Sequence, residues 1–217
     1  MQPYFFPYLG YFQLINAVDL YVNLDHVSFM KRSYMTRNKI KDGIPIRIDV
    51  LGGSQNKKCT EVSADICEKY IKKFKKTLFH TYGKEKLYSV IMSEIIDETF
   101  IERPISISDF NLEIIKRICQ YLEINTKIID SSEGITDKKR EEGLKDIVKK
   151  YGADFYINAI GGTSLYNKEY FKNFGIELNF IEMADVNVDD KYSSILDLLF
   201  RYDKEHLKKE LNNYRLL

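Results

Sequence analysis

The last third of the chain alternates strand-like and helix-like segments, and this order restricts the fold more than any other feature of the sequence. Residues 127–130, 154–160 and 178–183 are short and largely apolar, as buried strands are. Helical patterns over about 138–151 and 164–174 separate them and end at Gly152 and Gly175. A β-α-β-α-β order implies parallel strands with right-handed crossovers. The sequence therefore predicts an α/β protein with a mostly parallel sheet flanked by helices.

The first 58 residues are predicted to share that sheet, and the middle of the chain is predicted to be helical. Residues 20–24 are rich in strand formers, and apolar residues alternate with polar ones over 44–50. Apolar stripes at helical spacing follow at 66–78, 87–95 and 112–122, the last with Ser106 or Ser108 as an N-cap. Two more helices are expected over 193–200 and 203–214. We expect a single domain over residues 1–217, with 59–124 as a helical insertion or lid.

Composition and charge exclude several classes of protein. Of the 217 residues, 44% are hydrophobic, which is enough to bury a core without disulfides or a structural metal. The 33 basic and 32 acidic residues are interspersed, so no nucleic-acid ligand is expected. No apolar run approaches the ~18 residues of a membrane span, and no signal peptide opens the chain. Three cysteines without a Cys-x-x-Cys pattern favour free thiols, so we expect a soluble, cytoplasmic protein of open oligomeric state.

The first eleven residues combine five aromatic rings with two prolines and a glycine. The segment is too broken for a helix, and Pro3 and Pro7 stiffen it by restricting φ. Rings that stack and hydroxyls that hydrogen-bond suit the binding of a sugar or a nucleotide. An aromatic mini-core that seals the edge of the sheet would explain the same residues. The candidate ligand-binding residues here are Gln2, Tyr4, Tyr8, Gly10 and Tyr11.

A charged turn follows the predicted strand at 20–24. Asp25 and His26 come first, and histidine, with an ordinary pKa near ~6.5, is suited to moving a proton at neutral pH. Further along, cations can bind phosphate or carboxylate, arginine in bidentate fashion. Asp25 and His26 are therefore candidate catalytic residues, with an ordinary charged turn as the alternative. The candidate substrate-binding residues of this stretch are Lys31, Arg32, Arg37 and Asn38.

A third candidate segment runs from Tyr156 to Tyr166, where a buried strand leads through two glycines into a helix. Backbone N–H groups at a helix start favour anions, although a plain strand-to-helix turn would look the same. The candidate ligand-binding residues are Asn158, Gly161, Gly162 and Tyr166. The three histidines are too far apart along the chain to have the spacing of metal ligands, so no metal is expected.

These segments, in this order, resemble the WbqC-like protein family over essentially the whole chain. The match rests on residues 1–12, 25–29, 37–40 and 156–166, and on the closing stretch 193–200. Family members usually carry a short apolar strand before the Met-Gln-Pro opening. They commonly have proline at the position of Ala159 and often a second acid at that of His26.

The resemblance implies a role in the biosynthesis of O-antigen or other surface polysaccharides. It implies an acyl- or aminoacyl (glycyl-type) transferase that modifies an amino sugar, either free or nucleotide-linked. The donor would be a coenzyme A thioester or an aminoacyl group. A non-catalytic subunit that binds a sugar or nucleotide sugar within a glycan assembly complex is the first alternative.

A second alternative comes from the turn at residues 7–11. It is similar to the His-x-Gly-His turn of nucleotidyltransferase-like, Rossmann-like enzymes that adenylylate carboxylates with ATP. Tyrosines replace both histidines, so positive charge would have to come from Lys138, Lys139 and Arg140. We expect the opening segment, the cationic turn and the glycine pair to converge on one cavity at the carboxyl ends of the strands.

Overall fold

The computed structural model describes residues 1–131 and 140–217. It shows a mixed α/β protein with short strands. The strands are β1 (Leu20–Asn23), β2 (Arg37–Lys39), β3 (Pro45–Arg47), β4 (Val50–Leu51), β5 (Ser63–Ala64), β6 (Lys127–Asp130), β7 (Phe155–Ala159), β8 (Glu177–Met183) and β9 (Tyr214–Leu216). The helices are α1 (Leu9–Asn16), α2 (Glu68–Tyr82), α3 (Tyr88–Ile91), α4 (Asp97–Thr99), α5 (Ile107–Tyr121), α6 (Arg140–Lys150), α7 (Lys168–Lys172), α8 (Ile195–Arg201) and α9 (Lys204–Glu210). A π-helical turn, Met92–Ile96, joins α3 to α4, and 3₁₀ turns occupy Lys41–Gly43, Cys59–Glu61 and Ile160–Gly162.

The expected mostly parallel sheet is only partly present. Parallel pairing joins β1 to β6 and, separately, β7 to β8. On its other edge β8 pairs with β9 in antiparallel fashion, and β2–β3 and β4–β5 are antiparallel pairs. The two parallel pairs do not merge into one sheet, because a cavity of about 580 Å³ lies between β1 and β7.

Met1 lies in the gap between β1 and β7, against the edge of β1. Its amine donates to the carbonyl of Val22 at 2.7 Å, and its carbonyl accepts from the N–H of Leu24, also at 2.7 Å. Two bonds that flank one residue of β1 in this way follow the pattern of a parallel ladder. β1 therefore has a full partner, β6, on one edge and a single residue on the other.

The two long helices of the middle region each bury one face. In α2 the buried residues are Phe74, Leu78 and Tyr82, whereas Lys72 and Lys76 are exposed, as an amphipathic surface helix requires. In α5 the predicted N-cap is confirmed, since the Ser106 hydroxyl accepts from the N–H of Asp109.

One large core joins the middle helices to the opening segment and to α8. Its centre is a set of phenylalanine rings, in which Phe74 stacks on Phe100 at 4.5 Å and Phe6 stacks on Phe100 at 6.1 Å between ring centroids. Phe5 stacks on Phe110 at 6.3 Å. All five side chains are at most 5% exposed. The aromatic mini-core considered for the opening therefore exists, but it accounts for the phenylalanines and Tyr11, not for Tyr4 or Tyr8, which are half-buried.

Several predicted elements differ from the structure. The strand expected over 44–50 divides into β3, which pairs with β2, and β4, which pairs with β5. The opening segment was expected to contain no helix, yet α1 begins at Leu9, because Pro7 and Tyr8 are extended up to that point and the residues after it are free to coil. The helix expected over 164–174 is only α7, since the chain first makes the 3₁₀ turn Ile160–Gly162. The helix expected over 203–214 ends at Glu210, because the chain then pairs with the open edge of β8 as β9. Within the described ranges, no helix is both long and apolar enough to cross a bilayer.

The enclosed amine of Met1 predicts a pH dependence in a chain that begins with this residue. Burial lowers the pKa of the amine from 8.0 to about 5. Between these values the folded chain binds fewer protons than the unfolded chain, so the free energy of unfolding rises from pH 5 to pH 8 and levels off above. The gain has an upper bound of about 4 kcal/mol for the full difference in pKa. Urea unfolding across this range measures it. An N-acetylated chain is the control, and an equal pH slope for both chains would contradict the prediction.

Candidate functional site

Buried side chains from distant segments hold the loop formed by residues 2–8. The Asn38 amide donates to the carbonyl of Phe6 at 2.6 Å, and the Ser194 hydroxyl donates to the same carbonyl at 2.8 Å. The Asn111 amide donates to the carbonyl of Pro3 at 3.1 Å. Because all three donors are buried, their bonds are shielded from competing water. The loop is thus a fixed part of the structure, held by these bonds in addition to its prolines.

Phe6 adopts a backbone conformation that is unfavourable for a side-chain-bearing residue. Its φ is +44°, in the left-handed region, which costs on the order of 1–2 kcal/mol for a residue other than glycine. The ring is fully buried against Phe74 and Phe100, and the carbonyl holds two hydrogen bonds. Packing and hydrogen bonds together over-determine this conformation, as is usual for strain that persists in a folded chain.

Four tyrosines form a cluster beside this loop: Tyr4, Tyr8, Tyr34 and Tyr192. Tyr4 packs on Tyr34 with ring centroids 5.8 Å apart, and Tyr8 packs on Tyr192 at 6.2 Å. Burial, and then the neighbouring phenols, raise the pKa of Tyr4 and of Tyr8 above the ordinary tyrosine value. Both hydroxyls therefore stay protonated at neutral pH, and that of Tyr4 donates to Gln2 Oε1 at 3.2 Å. Tyr34 and Tyr192 are 62% and 68% exposed, so their rings are available to a ligand.

A cavity of about 1140 Å³ opens beside Tyr34 and Tyr192, and we name it the cationic cavity. Its walls come from β2, β3 and the loops that precede β2 and α8. Cations line it at Lys31, Arg32, Arg37 and Lys39. These four make no ion pair with any residue in the described part of the chain, whereas Arg47 on the same wall pairs with Asp49 at 3.6 Å. Unpaired cations around a hollow favour an anionic ligand.

The cavity between β1 and β7, the strand cavity, contains the third candidate segment. Most of its wall is apolar, with Leu14, Val22 and Ile147 as examples. Six of the predicted ligand-binding residues form the rest of the lining that matters here. Gly162 allows a close approach there, because an added Cβ would lie 3.0 Å from the Asn158 amide nitrogen. The predicted residues that line this cavity are Gln2, Tyr4, Asn158, Gly161, Gly162 and Tyr166.

The structure thus does not bring the predicted residues to one cavity. Some line the strand cavity, others line the cationic cavity, and five line neither: Tyr8, Gly10, Tyr11, Asp25 and His26. Gln2, Tyr4 and the glycine pair face the strand cavity, while the predicted cations and Asn38 lie at the cationic cavity. The separation arises because the opening loop runs between the two, held by its buried hydrogen bonds. Tyr4 on one side and Tyr34 on the other are in ring contact, so the tyrosine cluster connects the two hollows.

Gly10 and Tyr11 lie in the interior. An added Cβ on Gly10 would come within 2.5 Å of the Tyr8 ring, so this glycine lets the helix and the ring pack together. Tyr11 is fully buried, and its hydroxyl donates to the carbonyl of Gln2 at 2.9 Å and also contacts the Tyr21 hydroxyl. Tyr11 is therefore not placed to contact a phosphate, which removes support from the adenylylating alternative. Of the cations invoked for that alternative, Lys138 and Lys139 lie outside the described residues, and Arg140 begins α6.

Asp25 and His26 come together with a third residue that the sequence analysis missed. The Ser131 hydroxyl donates to Asp25 Oδ1 at 2.8 Å and lies 2.5 Å from His26 Nδ1. Asp25 and Ser131 are 5% and 1% exposed. These three residues line neither of the two cavities, but Leu24, directly before Asp25, lines the strand cavity. In the described part of the chain, no three His, Cys, Asp or Glu side chains are grouped so as to hold a metal ion.

Comparison with known proteins identifies the family. The chain matches the WbqC-like protein family over residues 2–209. It belongs to that family. It is also 24% identical over 220 residues to the "Uncharacterized protein Rv1507c" of Mycobacterium tuberculosis, an alignment that covers 94% of this chain and 93% of that one. No solved structure matches it. The resemblance predicted from the opening motif and the later segments is confirmed.

In this WbqC-like protein, three of the sequence segments that carried the resemblance meet at one point. The opening supplies the Phe6 carbonyl, the segment 37–40 supplies Asn38, and the closing stretch supplies Ser194. In addition, the N–H of Ser194 donates to the carbonyl of Lys39 at 3.0 Å. These three segments together form the wall between the two cavities.

Four residues at or near the site were not predicted from the sequence: Tyr34, Tyr192, Lys39 and Ser131. Tyr34 and Lys39 lie inside the charged stretch. Their position in the sequence next to Arg32 and Arg37 could have indicated that they belong to the site. Tyr192 and Ser131 carry no local signal, because each reaches the site only through contacts more than a hundred residues apart in the chain, such as His26 with Ser131.

Removal of the Asn38 amide should destabilise the wall between the cavities. In Asn38→Ala the carbonyl of Phe5 loses its contact at 3.2 Å and that of Phe6 loses its shortest bond. We expect a loss of roughly 1–3 kcal/mol in the free energy of unfolding, as for other buried unsatisfied groups. Asn56→Ala, at an exposed turn, is the matched control and should change stability by less than about 0.5 kcal/mol. Equal urea midpoints for the two variants would rule out this role.

The two adjacent glycines should differ sharply in their tolerance of a methyl group. Gly162→Ala forces its Cβ against Asn158 and within 3.2 Å of Tyr166, whereas nothing lies within 4 Å of a Cβ at Gly161. We expect Gly162→Ala to cost about 1–3 kcal/mol by overpacking and Gly161→Ala to be close to neutral. Thermal or urea unfolding of the pair measures this, and similar stabilities would show that the approach to Asn158 is not tight.

Proposed function

We propose that the protein is an acyl- or aminoacyl (glycyl-type) transferase that modifies an amino sugar, either free or nucleotide-linked, in the biosynthesis of O-antigen or another surface polysaccharide. Membership of the WbqC-like family supports the polysaccharide role. The observation that carries the proposal is the cationic cavity, where unpaired cations and exposed tyrosine rings lie side by side.

The cations suit the phosphates of a nucleotide-linked sugar. Such a ligand carries a diphosphate, whose charges would be neutralised by the unpaired Lys31, Arg32, Arg37 and Lys39. Arginine binds phosphate oxygens through two parallel N–H groups, and lysine binds them as a point charge. The protein as a whole is nearly neutral, at +1, so this local excess of positive charge is not a consequence of overall composition.

The tyrosine rings suit the sugar or the base. Tyr34 and Tyr192 border the cationic cavity and are mostly exposed, so they can stack on the face of a sugar ring or a base. Tyr8, packed against Tyr192, adds a protonated phenol beside these rings, whereas Tyr4, packed against Tyr34, lines the strand cavity. A volume of about 1140 Å³ is ample for a ligand of this size, since typical ligand sites span roughly 300–1,000 Å³.

The reaction would be attack of the sugar amine on the acyl carbon of the donor. A new C–N bond forms, the bond from the acyl carbon to its leaving group breaks, and the amine loses a proton to a general base. Asp25 and His26 are the candidates for that base, a role worth on the order of 10²–10⁴ in rate. They directly follow Leu24 in the chain. Leu24 lines the strand cavity, whose apolar lining suits the acyl donor.

Arg37 provides the direct test of the phosphate assignment. We expect Arg37→Ala to weaken binding of a nucleotide-linked amino sugar by ~10-fold or more, as loss of a charge-assisted hydrogen bond does, and the wild-type affinity to fall with added salt. Lys76→Ala is the matched control, because it removes the same charge from an exposed face of α2 outside both cavities. Calorimetric titration at two salt concentrations measures both effects.

Catalysis is tested separately by incubation of the protein with nucleotide-linked amino sugars, glycine with ATP, and acyl-coenzyme A thioesters. A mass increase equal to one acyl or glycyl group is the expected product. Affinity that is the same in Arg37→Ala and wild type, together with no mass change for any donor, would overturn the proposal.

A non-catalytic binding subunit is the second candidate, and one observation favours it. Asp25 and His26 line neither cavity, so the binding surface is complete without them. In that case Asp25→Asn leaves the affinity for the nucleotide sugar unchanged and the wild-type protein forms no product. Turnover by the purified protein alone would exclude this candidate.

A further inference from the structure

We propose that Ser131 is a positioning residue that connects Asp25 to His26 and holds the imidazole in the tautomer with hydrogen on Nδ1. The lone pair of the neutral ring then lies on Nε2, which becomes the atom that accepts the proton. This deepens the proposed function, on which it rests only for the identity of the proton donor, the attacking amine.

The contacts around Ser131 carry the proposal. Its hydroxyl oxygen lies 2.8 Å from Asp25 Oδ1 and 2.5 Å from His26 Nδ1, both within hydrogen-bond distance. Ser131 is only 1% exposed, so bulk water does not compete for these positions.

The distribution of hydrogens follows from the chemistry of the three groups. A carboxylate only accepts hydrogen bonds, and a serine hydroxyl has one hydrogen to donate. The hydrogen of Ser131 therefore goes to Asp25, and the Ser131 oxygen is left to accept. Nδ1 of His26 can complete the contact only as a donor, so it carries the hydrogen of the neutral ring. Which ring nitrogen of a histidine is protonated is set in this way by the bond that the other makes.

The backbone around the three residues is fixed from two sides. β1 and β6 run in parallel with Asn23 opposite Asp130, and the Asn23 amide donates to the Asp130 carboxylate at 2.8 Å. Ser131 follows directly after β6, and Asp25 follows two residues after Asn23. On the other side, the Cys59 thiol donates to the carbonyl of Asp25 at 2.9 Å. Asp25 and Ser131 are thus set by the strand register and not by a flexible loop.

The arrangement also explains how positive charge on the ring would be stabilised. When Nε2 takes the proton from an amine, the ring becomes an imidazolium with Nδ1–H still bound to the Ser131 oxygen. The Ser131 hydrogen remains directed at Asp25, so the carboxylate acts on the ring through the hydroxyl. Asp25 is in this scheme a stabiliser of His26, and the proton acceptor is His26 itself.

Nitrogen-15 NMR of the intact protein tests the tautomer without any substrate. Long-range ¹H–¹⁵N spectra at a pH where the imidazoles are neutral distinguish a protonated ring nitrogen from an unprotonated one. We expect His26 to show hydrogen on Nδ1. His206 is the internal control, because its Nε2 lies 2.7 Å from the carbonyl of Asn187, which only accepts, so it must show hydrogen on Nε2. Spectra of His26→Gln assign the His26 signals.

Three variants separate a positioning role from a merely structural one. In Ser131→Ala the ring loses its acceptor, and we expect the Nε2–H form, which free histidine favours in water, to predominate. Ser131→Thr keeps a hydroxyl and should restore Nδ1–H. In Asp25→Asn the new amide can donate to the Ser131 oxygen, which frees the hydroxyl hydrogen for Nδ1 and should move the ring hydrogen to Nε2. Dispersed amide spectra confirm that each variant is folded.

The outcomes are distinguishable from failure of the proposed function. If wild-type His26 carries its hydrogen on Nε2, or if Ser131→Ala leaves Nδ1–H unchanged, the inference is wrong whatever the activity. If the tautomers follow the expected pattern but no amino sugar is modified, the inference stands and the proposed transferase falls. If both hold, Ser131→Ala should lower kcat by ~10- to 100-fold with little change in substrate affinity, and Ser131→Thr should recover most of it.

Discussion

The carbonyl of Phe6 is the point on which the arrangement of this structure depends. It accepts hydrogen bonds from Asn38 and Ser194, which come from opposite ends of the sequence, while its own residue is held at a φ of +44° with a fully buried ring. Fixing that one peptide group sets the course of the loop between the two cavities. Tyr4 and Tyr8, on either side of it, then have defined positions. A loop that is already rigid loses little further conformational entropy when a ligand binds.

Two cavities that share a tyrosine cluster are a reasonable arrangement for a two-substrate reaction. One is polar and cationic, the other is largely apolar, and Tyr4 with Tyr34 forms the contact between them. A phosphorylated sugar and an acyl donor differ in the same sense, since one needs neutralised charge and the other needs an apolar surface. Transfer requires the reacting atoms to come within a few ångströms of each other. In the proposed reaction the two substrates would therefore have to meet at the contact between Tyr4 and Tyr34.

Local patterns in the sequence predicted much of the fold. β1, α2, α5, β6, β7 and β8 follow from alternation, helical spacing and capping, which act within a few residues. Long-range partners decide the rest. β9 forms because β8 has an open edge, and the separation of β1 from β7 cannot be read from either strand alone.

Long-range partners also decide the arrangement of the site. Asn38 was chosen for its neighbours in sequence, yet its amide points to the Phe5 and Phe6 carbonyls, and Ser131 joins Asp25 and His26 from more than a hundred residues away.

The distribution of charge supports a ligand at the cationic cavity more strongly than any single residue does. Elsewhere on the described surface some cations have partners, such as Lys72 with Glu68 and Lys208 with Glu123, and others, such as Lys76, have no ion pair. The cationic cavity differs in that four cations without an ion pair in the described part of the chain line one hollow. A chain with almost equal numbers of acids and bases has the means to pair its cations throughout. Several like charges without ion pairs around one hollow repel one another, and this repulsion is a cost to stability. Such a cost is expected where an anionic ligand supplies the missing negative charge. Binding of that ligand then relieves the repulsion between the cations in the folded protein.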